Sequence, residues 1–487
     1  MCRVVPTLML LLVSACAAEV DPMEPAPGCR ARQVSTPLAP ETAEMVDVLF
    51  VIDTSSDNYS EQAVFANALP GFMDTLAGTG EFSPDIHVGF ITADLGTGGH
   101  VVPTCEEPNF GDDARLHRTL ASSCADDLSP VGDAPYLSFR ADSTQSLEDL
   151  TREAVCITYG YEGCGLEQPL DAVLKALTPS ASSLRFAGGT LGHASEANDG
   201  FLREDAVLAV VLLANEDDCS VRDAELFDRT STVYTEPDLS LRCFLHEDAL
   251  HPLARYVEGL LAVRPAERLV FAAIAGVPEE IASSAESTPW DLLVGDASVR
   301  DPRMIVTVDA ATGTGRCAAC GHVGRGESHA AVRIASVARD LEARGVRTGV
   351  HSICAETYEP AMSIIADQIL EAMSGACLDM SLDVDEEGSA RCDVVEAPSD
   401  GVCEGRHGRV PWGVSEDGTS LCKLCRGDGE GHVIDDDPAC RALGQAGWSV
   451  RASSVCSDAQ SVAFAPLLPT SPRLLCPDPD PTSRVCD

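Results

Sequence analysis

The chain has 487 residues, enough for roughly two to four domains, and its 45% hydrophobic content supplies a sizeable core and excludes global disorder. Its 77 acidic residues against 33 Lys and Arg give a net charge of −44, a field that repels phosphate backbones and excludes nucleic acid as the expected partner. The same field suits a soluble exterior and the binding of cations.

At the N-terminus, Arg3 precedes the short apolar stretch VVPTLMLLLVSA, too short to span a bilayer as a helix and patterned like a signal peptide. Val13-Ser14-Ala15-Cys16 resembles a bacterial lipobox. Residues 1–15 are therefore expected to be removed and Cys16 to be acylated, which makes the lipid bilayer one partner. Cleavage after Ala15-Cys16-Ala17 by an ordinary signal peptidase is the alternative. Residues 16–45, with Pro22, Pro25, Pro27, Pro37 and Pro40, read as a semi-rigid tether. The expected location is the cell envelope, at the outer membrane or the cell surface.

From Met45 the pattern alternates. Continuous apolar runs predict buried strands at Met45–Ile52, Ile86–Thr92, Ala206–Ala214, Leu269–Ile274 and Val350–Cys354. Apolar residues at helical spacing predict helices at Ser60–Leu76 (kinked at Pro70), Glu167–Leu177, Ala249–Leu261, Ala330–Leu341 and Pro360–Met373. That series is an α/β fold: a doubly wound, mostly parallel sheet with helices on both faces, over residues 46–377. Residues 378–487 lose helical periodicity and carry eight cysteines with frequent Gly, Pro and Asp, which predicts a small disulfide-stapled β and loop module.

Export makes disulfides the default for this chain. Proximity predicts Cys105–Cys124, Cys156–Cys164, Cys219–Cys243, Cys317–Cys320 and Cys354–Cys377, with the eight later cysteines pairing among themselves. Setting aside Cys2 and Cys16 leaves an odd number, and Cys29, alone in the tether, is the expected odd thiol. The C-x-x-C pairs at Cys317–Cys320 and Cys422–Cys425 lie about a hundred residues apart and read as disulfide cysteines before zinc ligands. His246 and His251 are five apart, so they do not share a helix face as H-E-x-x-H requires. No P-loop or G-x-S-x-G elbow is present.

The run VDVLFVIDTSSD (46–57), followed by an amphipathic helix, resembles the opening of a von Willebrand factor A domain, whose first strand ends in the D-x-S-x-S of a metal-ion-dependent adhesion site. GCGLEQPLDAVLKAL (163–177), NDGFLREDAVLAVVLLANEDDCS (198–220) and RLVFAAIAGVP (268–278) resemble segments of uncharacterised bacterial lipoproteins with such domains. The resemblance implies a doubly wound fold and a divalent cation, Mg²⁺ or Ca²⁺, held by oxygens at the loop face, with one position open to a partner carboxylate. Asp53 and Ser55 stand at the family's first Asp and Ser. Asp57 replaces the second Ser, and Asn215 replaces the strand-four Asp. Cys164 or Glu167 lies nearest the missing Thr, and Glu216, Asp217 and Asp218 follow Asn215. Asp57 is equally a helix N-cap, and residues 216–218 are equally a solvated loop.

These readings point to a non-enzymatic, envelope-anchored protein of the binding or adhesion type, with an unidentified protein or surface ligand at its loop face. Two alternatives stand beside it: a structural envelope lipoprotein with a metal-free domain, and a hydrolase with unsignalled residues.

Overall fold

The computed structural model describes residues 29–31, 33–37, 45–55, 59–77, 84–121, 124, 128, 132–140, 146–159, 163–284, 287–308, 316–373, 375–377, 392–397, 402–403, 408–414, 420–427, 433–452, 460–464, 473–477 and 484–486, some of the short terminal strands by backbone alone. The leader, Cys16 and Asp57 lie outside the described residues.

Six strands build the central sheet: β1 (Met45–Ile52), β2 (Asp85–Thr92), β3 (Leu137–Phe139), β4 (Val207–Ala214), β5 (Leu269–Ala275) and β6 (Arg347–Ser352). Their order is β3-β2-β1-β4-β5-β6, and every pairing is parallel except β2 with the short edge strand β3. The crossover helices are α1 (Tyr59–Ala77), α2 (Leu147–Ile157), α3 (Pro169–Leu177), α4 (Ala254–Val263), α5 (Val332–Glu342) and α6 (Glu359–Met373).

Strand residues alternate between two cores, as a pleated sheet covered on both faces must. Leu49, Val51, Leu208, Val210 and Leu212 pack with α3, α4 and α5. Val48, Phe50, Ile52, Ala209, Val211 and Leu213 pack with α1, α2 and α6 on the other side. This is the doubly wound α/β arrangement, and its switch point lies between β1 and β4, where the strand order reverses.

The elements differ from expectation in particulars. Helix α1 runs through Pro70, which is exposed. Helix α4 begins at Ala254 and not Ala249, because Pro252 intervenes and Leu250 forms a β-bridge with Val221. Helix α2 and strand β3 add to the expected series; they lie in the long connection between β2 and α3.

Two short strands before β1 pair with strands of the C-terminal module. Gln33–Pro37 pairs antiparallel with Arg473–Pro477 as the edge of a five-stranded sheet, and Cys29–Ala31 pairs with Arg484–Cys486. Those residues fall in the segment expected to be a tether, so Cys29–Ala31 and Gln33–Pro37 are corrected to strand. Gly375–Cys377 likewise pairs with Gln460–Phe464.

The disulfides join elements that the fold brings together. Cys219–Cys243 forms as expected. Cys105 bonds Cys164 and Cys124 bonds Cys156, in place of Cys105–Cys124 and Cys156–Cys164. Cys320 bonds Cys354, which overturns both Cys317–Cys320 and Cys354–Cys377. The partners are 59, 32 and 34 residues apart, with Cys156 in α2 and Cys320 in the strand Ala318–His322, so the packing of elements and not nearness in sequence sets which cysteines meet. Cys403–Cys422 and Cys425–Cys440 staple the module, so the C-x-x-C of 422–425 contributes to two separate bonds. Cys317 is free and exposed, whereas the Cys29 side chain lies outside the described residues. This disulfide content belongs to a chain that folds in an oxidising compartment. Among the described residues, no helix is long and apolar enough to cross a membrane.

Candidate functional site

Strand β1 is buried to its last residue and delivers Asp53 to the carboxyl edge of the sheet. The Asp53 N–H donates to Leu213 O at 3.0 Å, so the residue sits at the switch point between β1 and β4. Its side chain is fully buried. Oδ1 accepts the Ser55 N–H at 2.8 Å and Oδ2 accepts the Asn215 N–H at 3.1 Å. Gln62, on the first turn of α1, donates to Asp53 O at 3.0 Å.

A second loop lies across this edge. The Gly163 N–H donates to Thr54 O at 2.9 Å, and a Cβ at Gly163 would stand 2.2 Å from Thr54 Oγ1, so only glycine permits the approach. Gln168 N–H donates to Ala93 O, and Cys219 N–H donates to Glu167 O, each at 2.9 Å. The loop is thereby sewn to the ends of β1, β2 and β4, and it drives the Glu167 side chain into contact with Asp53.

The Glu167 carboxyl lies within the field of the Asp53 carboxyl. Burial, then the charges of Asp53 and Glu216, push Glu167 well above the usual carboxylate range. Burial pushes Asp53 up to about 6, against the opposing N–H groups of Ser55 and Asn215. At this pair, four buried oxygens have no hydrogen-bond partner: Thr54 Oγ1, Ser55 Oγ, Glu167 Oε1 and Asn215 Oδ1. Buried polar atoms are almost always paired, so four unpartnered oxygens at two buried acids make this edge a candidate for a bound group. Hard oxygen donors, two of them carboxyl groups, match the chemistry of Mg²⁺ or Ca²⁺.

The expected residues divide. Asp53, Ser55, Glu167 and Asn215 converge. Glu216 contributes to the field at Asp53 and Glu167, but its carboxylate is ion-paired with Arg316. Asp217 is corrected: it accepts the Arg333 N–H at 2.9 Å and the Ile334 N–H at 3.2 Å, capping the start of α5. Asp218 is bound to Leu170 N–H, Ser220 and Arg333. Both are spent on joining β4 to α3 and α5. Among the described residues, no group of three or more His, Cys, Asp or Glu stands ready to hold a metal.

Two further residues at this edge lie outside the expected set. Thr54 lies between Asp53 and Ser55 in the motif itself. Asp94 lies two residues beyond the end of β2, as Asp53 lies one beyond β1; Gly96 N–H donates to it at 2.7 Å, and burial pushes it up to about 6. The Cβ position at Gly163 is 3.4 Å from Asp94 Oδ2, so Asp94 borders the same loop. The signal for it is a repeated pattern of buried strand then acid, FVIDTS in the first strand and FITADLG in the second.

No known family matches the chain, and no curated protein matches it. Among solved structures, similar chains include a von Willebrand factor type A protein from Catenulispora acidiphila, 11% identical, with a TM-score of 0.27, over 93% of this chain and 67% of that one. Overlap that slight leaves the fold to be argued from this chain's own strand order and register. On those grounds it is a doubly wound α/β domain, with the sheet order shared by Rossmann-like folds, joined to a disulfide-stapled β module.

Proposed function

We propose that the chain is an exported, envelope-anchored binding protein, without enzymatic activity, that engages a protein or surface ligand at the carboxyl edge of its central sheet with the help of Mg²⁺ or Ca²⁺. The observation that carries this reading is the buried Asp53–Glu167 pair with the unpartnered oxygens Thr54 Oγ1, Ser55 Oγ, Glu167 Oε1 and Asn215 Oδ1. Asp53 and Glu167 would be the anionic ligands, and Thr54, Ser55 and Asn215 the neutral ones. A bound cation would offset the repulsion of the two acids and present an open position to an acidic group of the partner. Export is supported by the disulfides, and anchoring by the lipobox-like Val13-Ser14-Ala15-Cys16.

The test is thermal unfolding with millimolar Mg²⁺, Ca²⁺ or Mn²⁺. A cation that binds only the folded state stabilises by about 2.7 kcal/mol at 100 times its Kd. A rise in Tm that Asp53→Ala abolishes is the expected result. Capture of a partner from envelope extract should then be lost on adding chelator. A metal-free structural domain is the second reading, favoured by the use of Asp217 and Asp218 as internal braces. An unmoved melting curve with all three ions overturns the first reading and leaves the second.

A further inference from the structure

Glu216 and Arg316 have no place among the proposed ligands, yet they sit at the edge of the site. Glu216 follows Asn215 directly, and its charge acts on both Asp53 and Glu167. Its side chain is 25% exposed, but its carboxylate is turned onto the guanidinium of Arg316, which is only 6% exposed. Arg316 is held at the end of a bridge with Val308, and the next residue's N–H donates to Thr307 O at 2.9 Å. Its Nε is buried without a hydrogen-bond partner, so the fork is engaged on one side only. A buried arginine with an unspent N–H contributes less to the fold than a fully bonded one. Meanwhile two unpartnered acceptors, Glu167 Oε1 and Asn215 Oδ1, remain in side chains more than nine-tenths buried.

We infer that Arg316 is a resident counter-cation that holds Glu216 back from the Asp53–Glu167 site, so that cation affinity is set by competition between Arg316 and the ion for Glu216. This rests on the proposed cation site and adds its regulation. With Glu216 on Arg316, two carboxyls converge at the site, which makes a weak site; with Glu216 released, three do. Affinity of oxygen-donor sites rises with the number of charged ligands, and Ca²⁺, with flexible coordination at longer distances, should profit more than Mg²⁺. Any partner surface that presents a carboxylate to Arg316 would free Glu216 and so tighten the ion, coupling partner binding to cation binding reciprocally.

The experiment is calorimetric titration of the full mature chain with Ca²⁺ and with Mg²⁺. Arg316→Gln should bind Ca²⁺ about tenfold more tightly than wild type. Glu216→Gln should bind like wild type within about twofold, and in the Glu216→Gln/Arg316→Gln double variant the gain should vanish. Arg316→Lys, which keeps a charge without the fork, should stay near wild type. Ion binding by the wild type with no gain in Arg316→Gln overturns the inference and leaves the site standing. Absence of binding in all variants sinks the site itself. Should Arg316→Gln fail to fold, Glu216→Gln decides alone: a large loss of affinity shows Glu216 already on the ion and overturns the inference.

Discussion

Asp217 shows how a single side chain can carry a role opposite to the one its neighbours suggest. It stands in Asn215-Glu216-Asp217-Asp218, an acidic cluster after a buried strand, and reads there as a ligand. In the fold its two oxygens receive the N–H groups of Arg333 and Ile334, at the start of α5, which has no cap from Ala331. Loss of a capping carboxylate costs about 1 kcal/mol. Asp217→Ala is therefore expected to lower stability by about 1 kcal/mol in urea unfolding while leaving any Ca²⁺ response of the wild type intact. A vanished Ca²⁺ response would restore Asp217 to the site. Asp53 was legible for the converse reason: a strand buried on both faces ends at it, and nothing nearer than the sheet edge can satisfy its charge.

At the scale of elements, the connection between β2 and α3 is held onto α3 by a partly buried ion pair between Asp113 and Lys175. Asp113 adopts a left-handed backbone, with φ of 60°, and the buried Ala114 follows at 55°, a conformation that alanine adopts at a cost of about 1 kcal/mol. Asn198 secures the turn, accepting from Leu116 N–H at 2.8 Å and donating to Ala114 O at 3.1 Å. The Asp113 carboxylate meets Lys175 and, at 3.0 Å, His193. Burial raises its pKa, but these two partners outweigh that and hold it below the usual carboxylate range. The group thus contributes stability above pH ~4 that is lost as pH falls further. Asp113→Asn strands the Lys175 ammonium, which is 2% exposed, and should cost about 3–5 kcal/mol at pH 7. Lys175→Met leaves Asp113 with His193 and with partial access to water, and should cost less than half as much. Equal losses in denaturant unfolding would show that the pair, and not the stranded lysine, sets the penalty.

For the molecule as a whole, buried acids set the pH dependence. Asp47, Asp53, Asp94 and Asp171 are all buried, and burial pushes each up to about 6. Each binds its proton more tightly folded than unfolded. Its contribution is therefore full below pH ~4 and is lost as pH rises through about 6. At on the order of 1–3 kcal/mol per group, the protein in EDTA should melt higher at pH 5 than at pH 8, by on the order of 5–10 °C. The net charge of −44 acts in the same direction, and added salt should narrow the gap by screening it. A flat or rising Tm between pH 5 and pH 8 would contradict this account.

What the sequence determined by itself is the alternation of strands and helices over 46–377 and the position of Asp53 and Ser55, because hydrophobic periodicity is a local signal and a buried strand must stop where its polar neighbours begin. Four of the five predicted strands match the observed ones to within a residue, and Val350–Cys354 is displaced to Arg347–Ser352. What only the tertiary structure decided is which side chains meet. Cys105 finds Cys164 and not Cys124, Glu167 lands on Asp53, Glu216 turns to Arg316, and Gln33–Pro37 leaves the tether to join a sheet with Arg473–Pro477. Each of these contacts spans a crossover or a long connection, and its partner is chosen by the order of strands in the sheet and by where a loop is pinned, neither of which any short stretch of sequence encodes.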